Sequence, residues 1–268
     1  MIAGRRLLRT TQRLLPAAGG ERRGGTVLAY HLVGAGTSGP VDLDPAVFRD
    51  QMDELRAIAE VVPLRALAAA DAPGERPRVA VTFDDAYRNF FSHAWPVLAE
   101  RALPATLFVP IGFVDGTHPP PIAGTDHLPP AAWEDLSTAA ATGPLELGSH
   151  SWTHRDLRRL PPPELDREIA ASRRHLAERV EREVTSFCYP RALWSRRVER
   201  RVAAEYARAV IGGGRRWSPS QSPWRIQRVS LRRDGPPSLA PLLAAPVWLE
   251  EWAADRARRL RRAVGGHR

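Results

Sequence analysis

Two adjacent carboxylates, Asp84 and Asp85, end the apolar run Val79-Ala80-Val81-Thr82-Phe83, and two histidines, His150 and His154, stand four residues apart after Leu145-Glu146-Leu147-Gly148-Ser149. Acids at the end of a buried strand cost desolvation energy unless something positive meets them. Two histidines at this spacing can share one side of a helical turn and bind one divalent cation through ring nitrogens. Each feature is weak by itself, because acid pairs often cap helices and most isolated histidine pairs lie on a surface or in a core. In combination they form a His₂Asp donor set with one carboxylate to spare. Metal-assisted hydrolysis needs that set: three protein ligands, open positions for water and substrate, and a nearby base.

Positioning these groups takes strands that end where they stand. Residues 26–33 form a β-like run bounded by glycines, and Asp44-Pro45 opens a helix with Asp44 as N-cap and Pro45 at its first position. Strands are expected over 61–62, 79–83, 105–109, 145–147, 185–189, 207–211 and 225–231. Helices are expected over 92–101, 133–141, 161–180, 195–205 and, in one or two pieces, 238–264. Residues 116–130 are rich in Pro and Gly and form a long loop, a length that marks functional or mobile segments. This alternation, repeated about seven times, argues a mainly parallel sheet with helices outside, open or closed into a barrel. Reactive groups in such folds gather at the C-terminal strand ends, where Asp84-Asp85, His150 and Tyr189-Pro190 all fall.

The 268 residues and 43% hydrophobic content suit one large domain or two small ones. The net charge is +9, yet all 39 basic residues are arginine and 25 residues are proline, a biased composition. We therefore do not read the charge as a sign of nucleic acid; it suits acidic substrates or an anionic surface equally well. The single Cys188 excludes an internal disulfide and a cysteine-based zinc site. Residues 1–25 read as a basic N-terminal tail without the apolar stretch of a secretory signal, and no run approaches a membrane span. The expected location is cytoplasmic. A tail touching an anionic membrane and a longer leader hidden by a wrong start both stay open, as does membrane contact through the arginine-rich residues 256–262.

Beyond these residues the chain resembles a known family. Thr82-Phe83-Asp84-Asp85 and His150-Ser151-Trp152-Thr153-His154 are similar to the first two motifs of the polysaccharide deacetylases, the NodB-homology group or carbohydrate esterase family 4. Leu28-Ala29-Tyr30-His31, Phe48 with Gln51, residues 104–109, Trp133-Glu134-Asp135-Leu136 and Phe187-Cys188-Tyr189-Pro190 resemble further family features, in the family's order. The resemblance covers residues 26 to about 232. It implies a distorted (β/α) barrel of about seven strands, with a catalytic domain over 26–236 and a C-terminal helical extension over 237–268. It implies that Asp85, His150 and His154 hold a divalent metal, most often Zn²⁺, and that Asp84 is the catalytic base. A backbone N–H, here that of Arg191, would donate to the oxyanion. The implied substrate is an N-acetylated carbohydrate, cleaved to acetate and an amine. Tyr189, Pro190 and Trp217 are the candidate substrate contacts, Trp217 by stacking on a sugar face.

The match has gaps. The third motif continues as Arg191-Ala192-Leu193 where the family has an aromatic residue and Gly, and Ala86 stands where Gly is common. Cys188 occupies the position of an arginine that steadies the base in many members, so that contact is expected to be absent. A late Leu-x-His that supplies the general acid is represented only by Leu231. Three readings stay open: His31 serves as acid, Asp84 shuttles the proton itself, or the enzyme is slow. A non-catalytic carbohydrate-binding relative, or a hydrolase of a non-sugar C–N bond, are the alternative functions.

Overall fold

The computed structural model describes residues 24–67, 76–214 and 216–244. Seven strands close a parallel barrel: β1 (Thr26–Tyr30), β5 (Arg78–Phe83), β6 (Ala105–Val109), β7 (Leu145–Ser149), β8 (Ser186–Cys188), β9 (Arg208–Gly212) and β10 (Ile226–Ser230). Each pairs in parallel with the next, and β10 returns to β1 with Ala29 opposite Ser230. The expected barrel is therefore present and closed. A short β4 (Glu60–Val61) adds to the N-terminal end of β5, and β2 (Leu32–Val33) pairs with β3 (Asp42–Leu43) as a separate lip above β1.

Alternation along the strands builds two layers. Val27, Ala80, Phe108, Cys188, Val210 and Ile226 point into the barrel and form one apolar cluster. Their neighbours Leu28, Val81, Leu107, Leu147, Phe187, Ile211 and Val229 point outward into a larger cluster shared with the helices. Strands buried on both faces read as nearly continuous apolar runs, as these do. The helices supply Phe48, Met52 and Leu55 from α1 (Pro45–Ile58), Leu98 from α3 (Trp95–Glu100) and Leu136 from α5 (Trp133–Thr142). The short helices α2 (Leu64–Leu67) and α4 (Ile111–Val114) complete that part of the chain. Asp44 caps α1 as expected, accepting the Ala46 N–H at 2.7 Å.

Several local expectations need correction. The run 26–33 is not one strand: it breaks at His31, which leaves β1 in the barrel and sends β2 to the lip. The expected helix over 161–180 is interrupted. α6 (Pro162–Asp166) and α7 (Ser172–Val180) are joined by a π-helical turn, Arg167–Ala171, which brings Glu168 inward where it is fully buried. Residues 150–156 are not helical, so the two histidines do not share a helix face. Among the described residues the remaining α-helices are α8 (Arg196–Ala203) and α9 (Ala240–Ala244). Glu54 of α1 accepts the N–H groups of Leu239 and Ala240, at 2.6 and 3.1 Å, and thereby caps α9. The basic tail up to residue 23, the rest of the expected C-terminal helices and the 256–262 arginine run lie outside the described residues. Among the described residues no helix is long and apolar enough to cross a membrane.

Candidate active site

Four strand ends meet over the barrel mouth. His31 is the first residue after β1, Asp84 the first after β5, His150 the first after β7 and Tyr189 the first after β8. Asp84 continues the inward parity of Ala80 and Thr82. Strand alternation already sends the next side chain, Asp85, away from the barrel interior; its left-handed backbone (φ 75°), like that of Ala86 (φ 48°), turns the chain out of the strand at that point.

That turn carries Asp85 to the two histidines. Its Oδ1 lies 3.6 Å from His150 Nε2 and 3.7 Å from His154 Nε2. Donor atoms sharing one tetrahedral ion with bonds of about 2.0–2.2 Å stand about 3.3–3.6 Å apart. The Nδ1 of His150 meets the Cys188 carbonyl at 2.9 Å; with its proton there, Nε2 keeps its lone pair toward Asp85. Asp85 Oδ1 is buried and has no hydrogen-bond partner. Burial, then the neighbouring Asp84 charge, pushes the Asp85 carboxyl well above its ordinary range. Burial also lowers both imidazoles, His154 to about 2 with the help of His150 and Arg191. An unpaired buried acid facing two neutral imidazoles is a set of donors that fits a cation.

Asp84 has a different partner. Arg228, on the inner face of β10, grips it with both guanidinium ends: Nη1 to Oδ1 and Nη2 to Oδ2, each at 2.7 Å. Nη1 also donates to Thr82 Oγ1 at 3.1 Å, Nη2 lies 3.0 Å from Cys188 Sγ, and the guanidinium sits over the Phe108 ring at 5.6 Å. Burial alone would raise the Asp84 pKa; Arg228 overrides it and holds the carboxyl well below the usual range. The arginine contact expected to be missing at position 188 is thus made from another strand. Cys188 is small enough to leave room for it, and burial raises its thiol so far that it adds no charge. Arg228 was legible only as an inward position in a strand, between Ile226 and Ser230.

His31 stands on the other side of Asp84, with Nε2 3.7 Å from Oδ2. Burial lowers its pKa to about 4; Asp84 opposes this, and Arg228, His150 and Arg232 add to it. The imidazole is therefore neutral at pH 7. Asp84 and His150 with Cys188 Sγ form a second set of mutually close donor atoms. A cation there would stand beside the Arg228 guanidinium, which already neutralises Asp84, so the Asp85 set is the better match.

The remaining candidates divide. Arg191 lies in the turn after β8, where both it (φ 56°) and Ala192 (φ 53°) are left-handed, so the turn keeps a glycine-like path without glycine. Tyr189 is not available as a substrate contact. By alternation it points out of the barrel, packs on Phe187 and donates to the Trp224 carbonyl at 3.0 Å. Pro190 is buried as well. Trp217 is a second correction. It is 3% exposed and pairs with Gly25, just before β1, at the end of the barrel opposite the mouth. The connection from β9 leaves the mouth and must return to the far end before β10 begins, and Trp217 lies on that return.

The polysaccharide deacetylase family profile matches residues 71–210, just over half of the chain. The matched span contains Asp84, Asp85, His150, His154 and Arg191; the flanking strands that carry His31 and Arg228 lie outside it. No curated protein sequence matches the chain significantly. Among solved structures, the fold is similar to that of the Streptococcus pyogenes deacetylase PplD in complex with acetate (18% identity, TM-score 0.68, 80% of this chain and 95% of that one). It is similar to IcaB from Ammonifex degensii (23% identity, TM-score 0.68, 83% and 96%). It is also similar to BC0361, a polysaccharide deacetylase from Bacillus cereus (17% identity, TM-score 0.68, 87% and 68%). With the profile match over half its length and the closed barrel beneath it, this chain belongs to the polysaccharide deacetylase family of hydrolases.

Proposed function

We propose that the chain is a metal-dependent N-deacetylase that hydrolyses the N-acetyl group of an amino sugar and releases acetate, with residues 26–236 as its catalytic domain. The observation that carries the reading is the separation of two adjacent acids. Asp85 faces His150 and His154 with an unpartnered oxygen, while Asp84 is held as a carboxylate beside them. Asp85, His150 and His154 would hold a divalent cation, zinc by the N₂O character of the donors. When bound, it supplies Lewis acidity at an acyl oxygen and acidifies nearby water.

The chain's own groups supply the rest. Asp84 accepts a proton as the water oxygen adds to the acetamide carbonyl. The Arg191 N–H, in its left-handed turn, donates to the oxygen that becomes negative. The C–N bond then breaks, the amine takes a proton, and acetate leaves. Arg228 makes Asp84 a weak base that does not keep a proton, which disfavours Asp84 as sole shuttle. His31, neutral and 3.7 Å away, is the group placed to pass the proton to the amine.

The test couples metal analysis to acetate release from a panel of N-acetylhexosaminides and their oligomers. Asp84→Asn is expected to keep its metal and lose roughly 10²- to 10⁴-fold in turnover. His150→Ala and His154→Ala are expected to lower bound metal sharply. Equal acetate release by wild type and Asp84→Asn, or unchanged metal in both histidine variants, sinks the reading.

A further inference from the structure

The turn that joins the two histidines is held by a residue that touches no reacting group. Ser151 (φ 68°) and His154 (φ 55°) are both left-handed, and neither is glycine. Such a path persists only where its surroundings fix it. The fixing group is Glu168, fully buried in the π-helical turn between α6 and α7. Its Oε2 accepts the N–H groups of Trp152 and Thr153, each at 2.9 Å. Its Oε1 accepts the Thr153 hydroxyl at 2.5 Å and Arg155 Nε at 3.2 Å. From the other side, the N–H groups of Ile111 and Gly112 donate to the Ser151 and Trp152 carbonyls at 3.1 and 2.8 Å. Within the turn, the His154 N–H donates to Ser151 Oγ at 3.1 Å. The helix is fixed in turn: Ser172 Oγ donates to the Glu168 carbonyl at 2.6 Å and lies 2.9 Å from Ser149 Oγ, at the end of the strand that carries His150.

We propose that Glu168 is a positioning residue: its carboxylate sets the turn that brings His154 to Asp85 and His150, and so sets the cation affinity of the site. The interruption of the helix then has a purpose. One extra residue in the turn rotates Glu168 toward the loop, where an uninterrupted helix would present a different face, and such bulges recur at functional sites. All four contacts to Glu168 come from residues 152–155, so its carboxylate acts on this one segment. This rests on the cation site proposed above.

The experiment measures cobalt binding to metal-free protein by visible absorption, below each variant's melting temperature, with His154→Ala as reference. Glu168→Ala is expected to weaken cobalt binding roughly 10- to 100-fold and to change the absorption envelope, as loss of an outer-shell partner does. Glu168→Gln can still accept both backbone N–H groups through its amide oxygen and is expected to fall between wild type and Glu168→Ala. A purely structural role would lower the melting temperature of the metal-free protein and leave the affinity and spectrum of the folded fraction unchanged. That result overturns the proposal. If Glu168→Ala does not fold, Glu168→Gln and Thr153→Ala decide: wild-type affinity and spectrum in both overturns it, and weakened binding in both supports it. A wild-type chain that binds no cobalt removes the cation reading itself, a separate outcome.

Discussion

Asp84 and Asp85 are consecutive, equally buried and opposite in electrostatic state. Asp84 faces the barrel interior and a guanidinium that grips both its oxygens. Asp85 faces the rim, two neutral imidazoles and the charge of Asp84. Backbone geometry separates them. The strand's parity carries Asp84 inward and the next side chain away from the interior, and the positive φ of Asp85 turns the chain out of the strand there. The inner wall is thus a finished ion pair, whereas Asp85 Oδ1 at the rim is buried without a hydrogen-bond partner. On the proposed reading, adjacent residues of the same type serve base and ligand roles because their counter-charges come from different places: Arg228 of the fold for Asp84, a bound cation for Asp85.

The sharpest way to break this comparison is to neutralise each acid in metal-free protein and measure stability by urea denaturation after chelation. Asp84→Asn leaves the Arg228 charge buried and unpaired, and breaking such a pair costs about 3–5 kcal/mol. Asp85→Asn removes a buried carboxyl group whose ionised form is opposed by burial and by the Asp84 charge, so it is expected to be neutral or stabilising by about 1 kcal/mol or more. Metal reverses the order of wild type and Asp85→Asn. Zinc at 100 times its dissociation constant should stabilise wild type by about 2.7 kcal/mol and leave Asp85→Asn nearly unchanged. Two losses of the same size in the metal-free state would erase the distinction between the carboxylates.

A smaller effect tests the fork itself. Arg228→Lys keeps the charge and loses the paired geometry, since an ammonium is a point donor. We expect a loss of about 1.5–3 kcal/mol, the scale of hydrogen bonds to charged groups. Turnover should fall while zinc content stays that of wild type, because the rim donors are untouched. A drop in zinc content with full turnover per bound metal would mean that Arg228 positions the metal-holding groups instead of Asp84.

Much of this was legible in the residues. The period-2 pattern of β5 and the two motifs located the acids, the histidines and the strand-end geometry that unites them. The parallel sheet with outer helices followed from strand–helix alternation, because parallel strands need crossovers, while its closure into a barrel was what the family resemblance implied. What stayed hidden depended on register between distant strands. Cys188 reads as a missing arginine, and only the placement of β10 in the closed barrel shows Arg228 reaching the same carboxylate. The histidine spacing suggested a helical turn, yet the turn is built by a carboxylate sixteen residues further along the chain, on the outer helix. Trp217 was misplaced because composition cannot tell which end of the barrel a connection has reached. Tyr189 was misplaced although parity could have settled it: with Cys188 inward, Tyr189 must point outward.

The smallest effect decides between the two possible cation sites. Cys188 belongs to the alternative donor set with Asp84 and His150, and its Sγ lies 3.7 Å from Asp84 Oδ2. Were that set the true one, Cys188→Ala would remove a ligand and most of the bound zinc. On the present reading the thiol is a neutral spacer that leaves room for Arg228. Its loss opens a space about the size of one sulfur atom in the barrel interior, costing about 1 kcal/mol. The bidentate grip on Asp84 survives, since both guanidinium nitrogens keep their carboxylate oxygens. We therefore expect Cys188→Ala to retain full zinc content, turnover within about twofold and a slightly lower urea midpoint. Loss of zinc in this variant, with the fold intact, would transfer the metal from Asp85 to Asp84 and invert the roles of the two carboxylates.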